Sequence, residues 1–263
     1  MLQLLETLGL KALEIPTDPR TGLSIEALDL ATRESRVAAC LLVANASNPL
    51  GSIMPDENKR RLAKLTAERG VAVIEDDIYG DLHFGSERPW PIKAFDTAGN
   101  VMLCASFSKS LSPALRIGFV AAGRYRRRLP CRRRSPAAAP IRSPRWSSPS
   151  TSNRGLSIAT CAACGEATNG RSTAMRAAVA RHFPGATRIT EPQGGFVLWV
   201  ELPEEVDTTA LHDRAIAAGV SYVPGELFSA SGMYRNCLRL NCGNPHTPEI
   251  EDAVRRLGKL MTA

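Results

Sequence analysis

The chain has 263 residues, of which 44% are hydrophobic and 22% charged, so it can bury a substantial core in one or two domains. No apolar run approaches the roughly 20 residues that span a bilayer, and Met1–Glu6 lacks a secretory leader's basic start and cleavage site, so the expected location is cytoplasmic. The net charge of +7 is not spread evenly: Arg124–Arg154 holds ten arginines and no acidic residue, and +7 less these ten leaves −3 for the rest, which argues against a nucleic-acid surface belonging to the whole chain.

From Leu2 to about Gly123 helical and strand periods alternate, as a parallel sheet covered by helices requires. Short apolar strands are expected at Val37–Ala44, Val71–Glu75, Val101–Ala105 and Arg116–Ala121, and amphipathic helices at Ser24–Thr32 and Asp56–Glu68. Between Arg124 and Ser172 the periodicity disappears into Pro, Ser, Arg and Ala. Prolines at 130, 136, 140, 144 and 149 each cost on the order of 3 kcal/mol inside a helix, so the expectation for Leu129–Ser172 is long coil or ill-fitting helix. Order returns with a helix from Ala174 to His182, a strand at Gly195–Glu201, a helix at Thr208–Ala218 and a strand at Cys237–Asn241. A last helix follows, with Thr247 as its cap and Pro248 at its first position. The expected organisation is therefore 1–125 as one α/β unit, 126–172 as an irregular segment and 173–263 as a smaller α/β unit.

Seven cysteines lie scattered in apolar surroundings, the reading for which is reduced thiols. Cys161 and Cys164 have C-x-x-C spacing but no second pair at metal-ligand spacing, so no metal site is expected. As a nucleic-acid-binding segment, Arg124–Arg154 lacks interleaved aromatics apart from Tyr125 and Trp146.

Four motifs follow in order: Ser47-Asn48-Pro49-Leu50-Gly51, Glu75-Asp76-Asp77-Ile78-Tyr79, Ser106-Phe107-Ser108-Lys109, then Arg116. The first three sit at strand ends and Arg116 opens the next strand; ligands bind at the strand-end edge of open parallel sheets, so one shared site is expected. Taken singly, Asn-Pro is a turn, Asp-Asp a cap, Lys109 a solvated amine and Arg116 a surface ion-pair partner. Taken together with Arg239 in Cys237-Leu238-Arg239-Leu240-Asn241, they resemble the fold-type I aminotransferases. Glu75–Leu82, Pro113–Gly118 and Pro192-Gln193-Gly194-Gly195-Phe196 resemble most closely the aminotransferase-like domain of GntR-type regulators of the MocR subfamily.

The resemblance covers roughly Leu2–Tyr125 and Ala174–Ala263. It implies an α/β fold of the pyridoxal-phosphate-dependent transferase type: a partial large domain with a mainly parallel sheet, then a small α/β C-terminal domain. The implied cofactor is pyridoxal 5'-phosphate. Lys109 would hold it through an imine and act as the catalytic residue, and Asp76 would pair with the pyridine nitrogen. Asn48 and Tyr79 would bond the ring oxygen, Ser106, Ser108 and Arg116 the phosphate, and Arg239 a substrate carboxylate. The chemistry suits these residue types, since a carboxylate keeps a ring nitrogen protonated and arginine's planar fork matches phosphate and carboxylate oxygens. Partners would be an amino acid or 2-oxo acid and a second copy in a homodimer, with DNA reached only through an N-terminal domain. The alternatives are the effector domain of such a regulator and an inactive fragment.

The chain departs from the family pattern in two ways. The resemblance begins part-way through the large domain, so the glycine-rich phosphate loop, its helix, the ring-stacking aromatic and a winged helix-turn-helix are not expected. Leu129–Ser172 stands where a helix should lead into the small domain. Back-translated into codons ending mostly in C or G and read two nucleotides later, Ser157–Glu166 becomes Asp-Arg-Asn-Leu-Arg-Arg-Leu-Arg-Arg, a basic amphipathic helix. A reading-frame slip is the expectation there.

Overall fold

The computed structural model describes residues 2–129 and 154–262. Residues 130–153, with most of the arginine- and proline-rich stretch, lie outside the described residues, as do the side chains of Arg154–Ala163, Cys161 among them.

The first half runs α1 (Leu2–Thr7), β1 (Thr17–Asp18), β2 (Gly22–Leu23), α2 (Ile25–Glu34), β3 (Ala39–Leu42), α3 (Asp56–Glu68), β4 (Ala72–Asp76), β5 (Val101–Ser106) and β6 (Gly118–Ala121). Strands β3 to β6 form one sheet in that order, the first three parallel and β6 antiparallel to β5. Ser24 caps α2 by accepting from the Ala27 amide at 3.2 Å, satisfying one of the donors that a helix start leaves free. Leu28, Leu62, Val73, Ile92 and Val101 are buried between the helices and this sheet. β6 begins at Gly118, two residues later than expected, because Arg116 has φ 49° and a left-handed residue does not pair in a ladder.

The second half runs α4 (Arg154–His182), β7 (Arg188–Ile189), β8 (Val197–Glu201), α5 (His212–Ala217), β9 (Val223–Pro224), β10 (Cys237–Asn241) and α6 (Pro248–Thr262). Its strands form a second sheet, β7-β8-β10-β9, antiparallel throughout. Leu198, Val200, Leu238 and Leu240 bury one face of that sheet with Val179, Leu257 and Met261. The Thr247 hydroxyl accepts from the Ile250 amide at 3.4 Å, with Pro248 opening α6. α4 and α6 touch backbone to side: a Cβ on Gly258 would lie 2.1 Å from the His182 carbonyl oxygen, so only glycine permits this approach.

Of the segment expected to be long coil or ill-fitting helix up to residue 172, residues 154–172 are helical. α4 starts at Arg154, twenty residues before the expected Ala174, because no proline follows Pro149 until Pro184 and the stretch is rich in alanine, the strongest helix former. Its buried stripe changes character along its length, from Gly165, Thr168 and Ser172 to Met175, Ala178 and Val179. The Ser172 hydroxyl is buried without a partner among the described residues.

On α6, Glu251 receives the Arg181 guanidinium at 2.9 Å and the ring Nε2 atoms of His246 and His182 at 2.7 Å each. These partners, Arg181 foremost, hold its carboxyl down to about 2 from an ordinary 4.5. A depressed carboxylate stabilises the fold above its unfolded pKa, and that contribution is lost as pH falls through the folded value. Glu251→Gln should therefore lower Tm at neutral pH and flatten the acid limb of the Tm–pH curve between about 4.5 and about 2. A Tm difference from wild type that stays constant across that interval would contradict the ion-pair account.

Candidate functional site

The carboxyl ends of β3, β4 and β5 supply one edge of the site. Successive residues of β4 point to opposite faces, so fully buried Glu75 lies on the helix side while half-buried Asp76 faces away from it. Burial raises the Asp76 carboxyl above its ordinary range, opposed by the Ile78 amide and reinforced by Asp77. Among the described residues no lysine, arginine or histidine forms an ion pair with Asp76.

Tyr79 follows, buried, just before a 3-10 turn at Gly80–Leu82, with its ring edge-on to Phe196 at 5.5 Å between centroids. Burial raises its hydroxyl, Arg239 lowers it and Asp76 raises it, so the phenol lies within the field of both. Asn48 sits in the loop after β3, at a cis peptide bond to Pro49. Its Oδ1 accepts from Arg239 Nη1 at 2.9 Å, across 191 residues of sequence.

Arg239 lies on β10 directly opposite Trp199 of β8. Its guanidinium carbon is 5.3 Å from the Phe228 ring centre, and Phe228 and Tyr234 stand edge-on to Trp199 at 5.3 and 5.9 Å. Burial desolvates the guanidinium, which lowers its pKa, and its Nε is buried with no hydrogen-bond partner among the described residues. Lys109, in the turn after β5, is exposed, and its Nζ lies 5.6 Å from the Phe196 ring centre. Phe196 thus touches both Lys109 and Tyr79.

Five predicted residues are linked in one set: Tyr79 and Lys109 lie against Phe196, Asp76 and Arg239 bear on the Tyr79 phenol, and Arg239 is bonded to Asn48. The serines make their own motif: Ser106 Oγ donates to Ser108 Oγ at 3.0 Å and to the Ile117 carbonyl at 3.3 Å, and accepts from the Ser108 amide at 3.1 Å. Arg116 adjoins this turn through Ile117, but its side chain is exposed, and among the described residues it forms no hydrogen bond with either serine. Phe107 and Ile117, and Phe119 and Val120 of the edge strand β6, are also exposed.

Pro192–Phe196 closes the site by joining the halves. The Gln193 amide donates to Gly51 O at 2.8 Å, Phe84 N to Gln193 O at 2.9 Å and Gly195 N to Leu82 O at 2.9 Å. The Gln193 side chain also accepts from Ile53 N at 2.8 Å. This stitching seats Phe196 between Tyr79 and Lys109. Sequence reasoning quoted Phe196 in a motif but gave it no role, and it passed over Asn45, Arg88 and Phe228; the signal for Phe196 was its position directly after the Gly194-Gly195 pair.

The chain is 37% identical over 276 residues to the uncharacterized HTH-type transcriptional regulator YjiR of Escherichia coli (strain K12), covering 99% of this chain and 55% of that protein. It is 31% identical over 259 residues to the 2-aminoadipate transaminase of Thermus thermophilus, covering 96% of this chain and 64% of that one. It therefore spans a little over half the length of these curated relatives. Among solved structures, the kynurenine aminotransferase of Pyrococcus horikoshii, in complex with PMP, superposes with a TM-score of 0.82 at 27% identity, over 99% of this chain and 66% of that one. Among the described residues no helix is long and apolar enough to cross a membrane, and no cluster of His, Cys, Asp or Glu could hold a metal. A model of the family matches residues 1–257, and the chain belongs to aminotransferase class I and II, a family of fold type I that uses pyridoxal phosphate.

Proposed function

We propose that this chain is a pyridoxal-phosphate-binding domain that recognises an amino acid or 2-oxo acid, with Lys109 as the amine that holds the cofactor. The observation that carries the reading is one connected set of residues: Lys109 and Tyr79 against Phe196, Asp76 and Arg239 bearing on the Tyr79 phenol, and Asn48 bonded to Arg239. The residues fit the group: Asp76 is a desolvated carboxylate with no cationic partner among the described residues, which suits a protonated ring nitrogen, and the buried Arg239 Nε lacks, among the same residues, an acceptor that a carboxylate would supply. Ser106 and Ser108, at the turn, are placed for phosphate oxygens, with Arg116 beside them.

When bound, pyridoxal phosphate supplies an aldehyde and an electron-accepting ring. Asp76 keeps a proton on the ring nitrogen, Tyr79 and Asn48 orient the ring oxygen, and Lys109 holds or moves the proton at the amino acid's alpha carbon. Arg239 binds the carboxylate, and Asn48 fixes the fork through Nη1. In this reading 1–125 is the partial cofactor unit and 173–263 the small one; a cytoplasmic homodimer goes with it.

A second reading, the effector half of a transcriptional regulator, is favoured by the likeness to YjiR along nearly the whole chain. In that case binding and not turnover is the output, and DNA would be reached through another domain. The test is to add pyridoxal phosphate, dialyse and record the absorbance, then add an L-amino acid or the amine lacking its carboxylate. A retained cofactor band that the amino acid shifts and the amine does not is the expected result; no retained band would overturn the reading. Formation of 2-oxo acid separates enzyme from sensor.

A further inference from the structure

We propose that Asp77 is a positioning residue that holds the Asn48 loop, Asp76 and Tyr79 in register through Asn45 and Arg88, an inference resting on the cofactor reading above. Asp77 cannot touch a ligand that Asp76 faces, because neighbouring residues at the end of β4 point opposite ways. Its side chain is 2% exposed and both oxygens are engaged: Oδ1 accepts from Asn45 Nδ2 at 3.1 Å, Oδ2 from Arg88 Nη2 at 2.6 Å. Arg88 reaches on to Asp81 at 2.6 Å and to the Pro89 carbonyl at 3.2 Å, so the turn after Tyr79 is tied to the same carboxylate. The fit beneath that turn is close, since a Cβ on Gly80 would lie 2.4 Å from Asp77 Oδ1.

Asn45 carries the constraint to the other motif. It is fully buried, and its amide nitrogen donates to Asp77 and to the Trp90 carbonyl at 3.3 Å. The next residue, Ala46, is left-handed at φ 50° and 1% exposed. A non-glycine residue held there is strained and persists only where its surroundings impose it. Two things impose it here: the anchored Asn45 on one side and Gly194 on the other, where a Cβ would come within 2.9 Å of the Ala46 Cβ. Two residues beyond Ala46 stands Asn48, bonded to Arg239. A continuous chain of contacts, Asp81–Arg88–Asp77–Asn45, thus links the two loops that present Tyr79 and Asn48.

The test compares wild type, Asp77→Ala, Asp77→Asn, Asn45→Ala and the double variant Asn45→Ala/Asp77→Ala by amide hydrogen exchange without cofactor and by pyridoxal phosphate affinity. Asp77→Ala and Asn45→Ala should each speed exchange in 45–51 and 79–83 together, leaving the second sheet protected, and each should weaken cofactor binding about tenfold, the cost of one charge-assisted bond. The double variant should be no weaker than either alone, and Asp77→Asn, which keeps an acceptor for Asn45, should lie between. Additive losses, exchange rising in one segment only, or unchanged affinity in folded variants would overturn the positioning role alone. A wild-type chain that takes up no pyridoxal phosphate at Lys109 overturns the cofactor reading and this inference with it.

Discussion

Lys109→Ala should abolish retention of pyridoxal phosphate through dialysis while leaving the thermal melt of the apo chain unchanged. The side chain is exposed and its one aromatic neighbour is Phe196, so its removal opens no cavity. Other lysines are poor substitutes for physical reasons. Lys59 is fully buried beneath α3 beside Asp56 at 3.3 Å, and Lys93 is held by Asp96 at 2.7 Å and the Val101 carbonyl at 2.8 Å. Lys64 pairs along its own helix with Glu68, away from the strand ends. Only Lys109 follows the Ser106–Ser108 turn and faces the residues that would hold ring and carboxylate. A Lys109→Ala chain that keeps the cofactor band through dialysis would show that the amine lies elsewhere.

Arg239→Ala should weaken amino-acid binding by about 10–100-fold while the cofactor band stays as in wild type, since a bidentate carboxylate contact comprises two charge-assisted bonds. The separation follows from position: Arg239 belongs to the second sheet and meets the first half at Asn48, to which it is bonded, with the Tyr79 phenol in its field. Arg239→Lys should recover part of the loss at best, because an ammonium lacks the planar fork and would leave the Phe228 face without its stacked partner. The aromatic neighbours define the environment in which this works. Phe228 lies beside the guanidinium, and burial there strengthens its hold on an anion, with its buried Nε free of a partner among the described residues. Loss of the cofactor band with amino-acid affinity intact would contradict the assignment.

Much of the first half was legible because its signals are local. The α3 bounds follow from an acidic first turn and an unbroken amphipathic run, and Ser24 marks the start of α2. The strands read as short apolar runs, and their carboxyl ends gather Asn48, Asp76 and Lys109 because parallel strands end on one edge. Less was visible where length or pairing decides. β7 and β9 have two residues each, too few to show a period, and exist only by pairing with β8 and β10. Arg116 falls outside β6 for a backbone reason, its left-handed φ, that no apolar pattern encodes. Where the side chains of α4 are described, its inward face begins with Gly165, Thr168 and Ser172, which carry no hydrophobic signal. The Asn45–Asp77 contact joins residues 32 apart and the Asn48–Arg239 contact 191 apart, distances at which only the folded chain brings polar groups together.

The central claim is that one amine, at one strand end, holds the cofactor. It is tested most directly by incubating the wild-type chain with pyridoxal phosphate, reducing with borohydride and mapping the modified peptide. The account predicts the label on Lys109, at the end of Ser106-Phe107-Ser108-Lys109. A label on Lys64, Lys93 or Lys259 with Lys109 unmodified would contradict it.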